Sequence, residues 1–147
     1  MFKPYYWKKN KYKNLSIFYP GKFLEKEILS DIYLKFKSEK NNYYSILRKY
    51  DLKGLVIESN DFLFAVTDHC KSYSIFFYIE KNQFIISDHI QKIITKKKNI
   101  ELEFFYKKEL LMSGYISGER TIFKKVKQLE SGTQLNYLKE KKRIKIF

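Results

Sequence analysis

The chain has 147 residues, with 30 Lys+Arg against 16 Asp+Glu, one Cys, two Pro and five Gly, a length that fits one domain and suffices to bury a core. At 44% hydrophobic and 18% aromatic residues it is far from a disordered composition, and one Cys excludes both a disulfide scaffold and a multi-thiolate zinc site. No apolar run approaches the ~20 residues of a transmembrane helix, and Met1 to Asn14 lacks a secretory h-region, so a cytoplasmic protein held by packing alone is expected.

In chain order, residues 1–22 are expected to hold one strand at most, Leu15 to Tyr19, stopped by Pro20-Gly21. The preceding arm, with Tyr5, Tyr6, Trp7 and its lysines, is expected to lay its aromatics on the domain. From Phe23 to Phe36 the spacing of Leu24, Ile28, Ile32 and Phe36, widened by Leu29 and Tyr33, predicts a helix buried on that stripe. Ser38 to Asn42 reads as a loop, and Tyr43, Tyr44, Ile46 and Leu47 as a short helix ending near Asp51. Then the period changes. Leu55–Ile57 and Phe62–Val66 flank Glu58–Asp61 as a hairpin, and Ser74–Ile79 and Phe84–Ile86 repeat the pattern around Glu80–Gln83. Ser87 and Asp88 predict an N-cap for a helix over His89–Ile94. Lys96–Lys98 follows as a solvated loop. A longer helix, Glu101–Ser113, carries Leu102, Phe105, Tyr106, Leu110 and Leu111 and meets Gly114 where a left-handed cap is needed. Gln134–Leu138 and Ile144–Phe147 read as two closing strands.

The net charge is +14, but 27 of the 30 basic residues are Lys, and Arg is the residue that makes bidentate base contacts. Residues 1–50 carry 12 basic against 4 acidic residues, 51–95 carry 4 against 6, and 96–147 carry 14 against 6. The nearly neutral middle is therefore the expected core. A lysine-rich nucleic-acid-binding protein, with the Tyr5–Trp7 arm stacking on bases, is the weaker of the function classes this charge raises.

From residue 52 onward the sequence resembles the glutaminase domain of the asparagine synthetase family, a class II glutamine amidotransferase domain of the N-terminal-nucleophile (Ntn hydrolase) fold. The run Gly114-Tyr115-Ile116-Ser117-Gly118-Glu119-Arg120-Thr121-Ile122-Phe123, continued by Val126, Leu129 and Gly132, is similar to that family's Gly-Tyr-x-x-Gly-x-Arg-Thr-x-Phe pattern and its continuation. Thr67-Asp68-His69-Cys70-Lys71 and its sequel Ser74–Phe77 resemble the Arg-Asp-x-x-Gly-x-x-Pro-Leu-Tyr-Tyr segment, and Phe84–Ile93 resembles the strand and Ser-Glu-x-Lys-x-Leu that follow.

The resemblance implies an α+β fold, an Ntn-like sandwich of two antiparallel β-sheets flanked by helices with one sheet trimmed. The whole chain, 1–147, forms a single glutaminase-like domain, divergent over 1–51 and family-like over 52–147. Asp68 corresponds to the carboxylate that holds the glutamine amino group and is the vestige of the substrate site. Gly114, Gly118, Arg120, Thr121 and Gly132 form a structural loop, with Arg120 fixing it through Glu119 or a nearby carbonyl. The family's nucleophile is an N-terminal Cys whose own α-amine acts as base. Phe2 stands at that place, and the Arg-Gly-Pro and Asn-Gly-Glu segments have no counterpart in residues 1–50. No catalytic residue is assigned.

Cys70 matches an apolar position and is expected in the core. Placed beside His69 on a strand, it faces the other way, so the two form no dyad. Neither His69 nor His89 has a partner at metal-ligand spacing. The expected function is an inactive amidotransferase-like scaffold for an ATP-dependent, amide-forming domain or protein, with ATP and Mg on that partner and no cofactor here. A second copy of the chain is another possible cover for the trimmed edges, and no membrane is involved. The alternative is an active glutamine-hydrolysing asparagine synthase fragment.

Overall fold

Both faces of the middle strands are apolar, and the structure uses both. It is a computed structural model and describes residues 1–21, 24–38, 43–80, 83–97 and 100–147. Phe23, the greater part of the Ser38–Asn42 loop, the Lys81-Asn82 tip and Lys98 of the expected elements lie outside those residues. Ten strands, β1 (Phe2–Lys3), β2 (Lys8–Tyr12), β3 (Leu15–Tyr19), β4 (Gly54–Glu58), β5 (Phe62–Thr67), β6 (Phe76–Glu80), β7 (Gln83–Ser87), β8 (Val126–Gln128), β9 (Gln134–Leu138) and β10 (Arg143–Ile146), are described with four helices, α1 (Lys26–Ser38), α2 (Tyr44–Lys49), α3 (Gln91–Ile94) and α4 (Phe104–Ser113).

The strands form a six-stranded sheet, β10-β9-β5-β4-β3-β2, and a four-stranded sheet, β1-β7-β6-β8. Alternation along each strand sorts side chains into three cores. Phe18, Val56, Leu63, Ala65 and Leu135 from the larger sheet meet Phe2, Phe77 and Ile86 from the smaller one. On the other face of the larger sheet, Ile17, Tyr19, Leu55, Ile57, Phe64 and Val66 pack against Leu29 and Ile32 of α1 and Ile46 and Leu47 of α2. Tyr78 and Val126, on the outer face of the smaller sheet, pack against Ile93 of α3. The result is a layered order of helix, sheet, sheet, helix. The apolar stripe expected from Leu24 to Phe36 is the face α1 presents to the sheet.

Residues 1–22 hold three strands, not one. Lys8–Tyr12 has no apolar alternation to announce it. It becomes a strand because β3 offers an unpaired edge and Lys13, at φ +52°, turns the chain back within two residues. The smaller sheet is not wholly antiparallel either, since β1 runs parallel to β7, with Phe2 opposite Ile86 and Lys3 opposite Ser87. α4 starts at Phe104, after Leu102 has formed a bridge to Phe123 and the Glu103 N–H has bonded the Ile122 carbonyl at 2.8 Å. Gly114 ends it at φ +78°, as its position predicts.

The Ser87-Asp88 pair is not a helix cap. α3 begins at Gln91, whose N–H is accepted by His89 Nδ1 at 3.2 Å and by neither Ser87 nor Asp88. The Asp88 carboxylate, 8% exposed, instead accepts the backbone N–H groups of Tyr5 and Tyr6 at 2.6 Å each and of Trp7 at 2.9 Å. Ser87 donates its hydroxyl to the Lys3 carbonyl at 2.5 Å and accepts the His89 N–H. These bonds hold the four residues by which the chain leaves one sheet and enters the other. Asp88→Ala leaves three amides without their acceptor, that of Trp7 buried and those of Tyr5 and Tyr6 part-buried; at about 1–3 kcal/mol for a buried orphan, and less where water can reach the N–H, it is expected to cost about 2–3 kcal/mol, read from denaturant unfolding.

Glu80, at the end of β6, accepts hydrogen bonds from the Lys125 ammonium and the Tyr78 hydroxyl. The Lys125 bond first, then that of Tyr78, pulls its carboxyl down to about 2. A carboxyl depressed in the fold contributes stability that is present above its ordinary pKa near 4.5 and fades as pH falls toward 2. Thermal melts should therefore separate wild type from Glu80→Gln at pH 7, with the gap closing between pH 4.5 and 2. A gap that does not change with pH would refute the coupling.

Candidate functional site

The segment expected to carry the vestigial substrate site follows β5, at the end of the larger sheet where Gly54 pairs with Thr67. Thr67 is buried and closes the strand by donating its hydroxyl to the Glu130 carbonyl at 2.5 Å. Its N–H bonds the Thr133 carbonyl. The Asp68 carboxylate accepts the Ser72 N–H at 2.8 Å and the Ser72 hydroxyl at 2.6 Å, closing its own turn, and its carbonyl accepts the Gly132 N–H at 2.9 Å. Lys71 completes that turn at φ +50°. The carboxylate thus serves here as an acceptor for its own turn. Burial lowers the pKa of the Lys71 ammonium beside it, partly offset by Glu130.

Cys70 is exposed, against the expectation of a core thiol. β5 stops at Thr67, so His69 and Cys70 lie in the turn beyond the strand, where no pleat directs either side chain inward. The His69 ring stacks on Tyr44 at 5.2 Å and 13° and lies close over Gly132, which sits at φ +63°. A Cβ on Gly132 would come within 3.1 Å of His69 Nδ1, so glycine is needed there for space as well as for backbone angle.

Phe2, which the resemblance sets at the place of the family's nucleophile, is a core residue. It is 1% exposed and packs on Trp7 and Phe18, with ring centroids at 5.7 and 4.9 Å. Its N–H bonds the Glu58 carboxylate at 3.3 Å. Glu58 and Asp68 belong to opposite ends of the β4–β5 ladder, whose five residue pairs run from Gly54↔Thr67 to Glu58↔Leu63, about 13 Å at ~3.3 Å per step. The anchor of Phe2 and the Asp68 turn are thus not gathered into one constellation. At the Glu58 end, Lys139 donates to Glu58 at 2.9 Å and to the Ser59 carbonyl at 2.5 Å, and the Met1 amine lies 4.0 Å from the same carboxylate. Burial lowers the pKa of that amine. Beside it is an open cleft of about 460 Å³ lined by Met1, Gln83, Phe84, Ile85, Tyr137 and Lys139.

The Gly114–Gly132 segment is held by hydrogen bonds among its own residues and to α4. Arg120 donates to the Ser117 carbonyl at 3.2 Å and the Ser117 hydroxyl at 3.0 Å, and its guanidinium lies 4.9 Å from the Tyr106 ring. Of the partners expected for Arg120 it takes the carbonyl, since Glu119 pairs with Lys127. Glu109 accepts both the N–H and hydroxyl of Ser117, which lowers its carboxyl pKa. Thr121 is buried and donates to the Val126 carbonyl at 2.8 Å. Gly118 adopts φ +70°.

Sequence reasoning missed Asp88 and the Glu58–Lys139 pair, whose partners lie about eighty residues away in the chain. The one available signal for Glu58 was a carboxylate closing an apolar strand. Among the described residues no group of three or more His, Cys, Asp or Glu is placed to hold a metal ion, and no helix is long and apolar enough to cross a membrane. Comparison with protein-family models and with curated proteins finds no match for this chain. The Cys70 placement is checked by titrating native protein with a thiol reagent such as Ellman's. One equivalent should react at once, and reaction only after denaturation would contradict it.

Proposed function

We propose that this chain is a glutamine-amidotransferase-like domain with a dead cutting site, serving as a docking module for an ATP-dependent, amide-forming synthetase-like domain or protein. Three features support the dead site. The Asp68 carboxylate is occupied by Ser72, Phe2 is a core ring, and Cys70 sits in a turn whose histidine is stacked elsewhere. Amide cleavage needs a positioned nucleophile together with oxyanion donors, and loss of a single such donor costs ~10²–10³ in rate. The helix-sheet-sheet-helix layering is compatible with an Ntn-type ancestry.

The observation that carries the docking half is α4. None of its ten residues is buried. Phe104, Phe105, Leu111 and Met112 are 65%, 68%, 76% and 88% exposed, and Tyr115 extends the apolar surface beyond the cap. A helix this short is marginal in water by itself, and large apolar side chains left exposed in such number mark an interaction site. The helix leads directly into the Gly114–Gly132 run that carries the family resemblance. ATP and Mg would belong to the partner.

Two measurements test this reading. Purified chain incubated with glutamine should release no ammonia above a buffer blank, and sustained turnover would restore the active-fragment alternative. Titration with a synthetase-like protein from the same organism should give a complex that the Phe105→Glu/Leu111→Glu variant weakens at least tenfold. A dimer in light scattering that this variant dissolves would instead assign the face to a second copy.

A further inference from the structure

A different region carries a separate inference, one that stands whether or not the docking reading does. Residues 1–24 and 89–100 together contain ten Lys and no Asp or Glu. The fold brings parts of these two stretches together, because β1 pairs with β7 immediately before α3. Lys3 ends β1 opposite Ser87 of β7, and Lys96 follows α3 a few residues on; the Lys3 ammonium first, then desolvation, with a smaller repulsion from Lys92, lowers the pKa of Lys96. Among the described residues none of the three is paired with a carboxylate. Like charges held this close are unfavourable unless an anion lies between them.

Beside the lysines stands an aromatic cluster. Tyr5 stacks on His89 at 4.5 Å and 27°, and the Lys92 ammonium lies 5.0 Å from the Tyr5 ring. Tyr6 meets Tyr5 edgewise at 4.4 Å and His89 at 5.6 Å and 68°, so neither ring lies flat on it. Tyr5 and Tyr6 are 50% and 69% exposed, whereas Trp7, next in the chain, is buried. The arm does not lay all of its aromatics on the domain, as the sequence led one to expect. Asp88 grips the amides of all three residues, and that grip fixes which rings point inward and which outward. Two aromatic rings are thus presented on an immobilised backbone, at little further cost in ordering.

We propose that Tyr6, with Lys3, Lys92 and Lys96, forms a binding surface for single-stranded nucleic acid, with Tyr6 stacking on a base and the lysines meeting the flanking phosphates. Lysines act as point charges on phosphate without reading base edges, and base–aromatic stacking tolerates any sequence, so the surface selects for single strands and not for sequence. An anionic membrane is a poorer fit. The cluster exposes Tyr, Lys and Met1, without the Leu, Phe or Trp face that an interfacial element inserts among acyl chains. An acidic protein would satisfy the lysines and leave Tyr6 without a role.

The test is fluorescence anisotropy of the full chain with labelled oligo(dT) and oligo(U) at 50 and 200 mM salt. Binding should weaken with salt, and Lys3→Ala/Lys92→Ala/Lys96→Ala should reduce it at least tenfold and lower the slope of log K against log[salt] by about 2. A charge-matched triple, Lys107→Ala/Lys141→Ala/Lys145→Ala, on α4 and the opposite edge of the larger sheet, should cost less than threefold. Tyr6→Ala should weaken binding at least fivefold, and Tyr6→Phe should not. Circular dichroism of each variant confirms that it is folded. The proposal fails if no oligonucleotide binds at 50 mM salt, if the two triples lose affinity equally, or if Tyr6→Ala binds like wild type. It also fails if polyglutamate or phosphatidylserine vesicles bind as tightly as the oligonucleotide.

Discussion

The chain passes from the smaller sheet to the larger within four residues, Pro4 to Trp7, and one buried carboxylate holds that passage. Without an acceptor, three successive amides would be left unpaired at the seam of a sandwich, that of Trp7 buried where water cannot replace the missing bond. Asp88 supplies the acceptor, and the consequences extend to both layers. Its bonds keep β1 beside β7, place Phe2 and Trp7 in the core between the sheets, and start β2 at the position from which it can pair with β3. The Trp7 ring fits there because Gly54 has no side chain, since a Cβ at that point would lie 2.9 Å from it.

Local pattern made much of this fold legible. The α1 stripe, both middle hairpins, the closing pair β9 and β10 and the left-handed cap at Gly114 all follow from periods of 3.6 or 2 and from residue type, because each is decided within a dozen residues. What escaped was decided by distant partners. β2 is a polar strand made by its neighbour, β1 is two residues long and parallel to a strand more than eighty residues away, and β8 is three residues on the edge of β6. Asp88 followed Ser87 in a cap-like sequence, but amides from the N-terminal arm captured it before the helix began. Cys70 matches an apolar position of the resembled pattern, but β5 ends at Thr67 and the turn beyond it leaves the thiol exposed.

The candidate sites follow the same division. Arg120, Thr121 and Gly118 of the expected structural loop bond to partners within ten residues of themselves in the chain. That Lys3 and Lys96 influence one another, and that Lys92 lies over the Tyr5 ring, needed the β1–β7 pairing to come into view. Lysine excess in the composition says little about function. A small group of lysines held beside fixed, exposed rings says more, because position is what turns charge into recognition.

The outer edge of the six-stranded sheet offers a last consequence. β2 faces solvent along one side, with Lys9 and Lys11 exposed, and a second molecule adding itself there in register would bring ammonium against ammonium at Lys8, Lys9 and Lys11. That electrostatic veto on fibre growth needs no covering loop, and it leaves the rim free of bulky protection. It is also conditional: a few hundred millimolar salt shortens the reach of such repulsion to about 5 Å, roughly the spacing between paired strands. Colloidal behaviour of this chain is thus set by its ionic surroundings more than by the strength of its core.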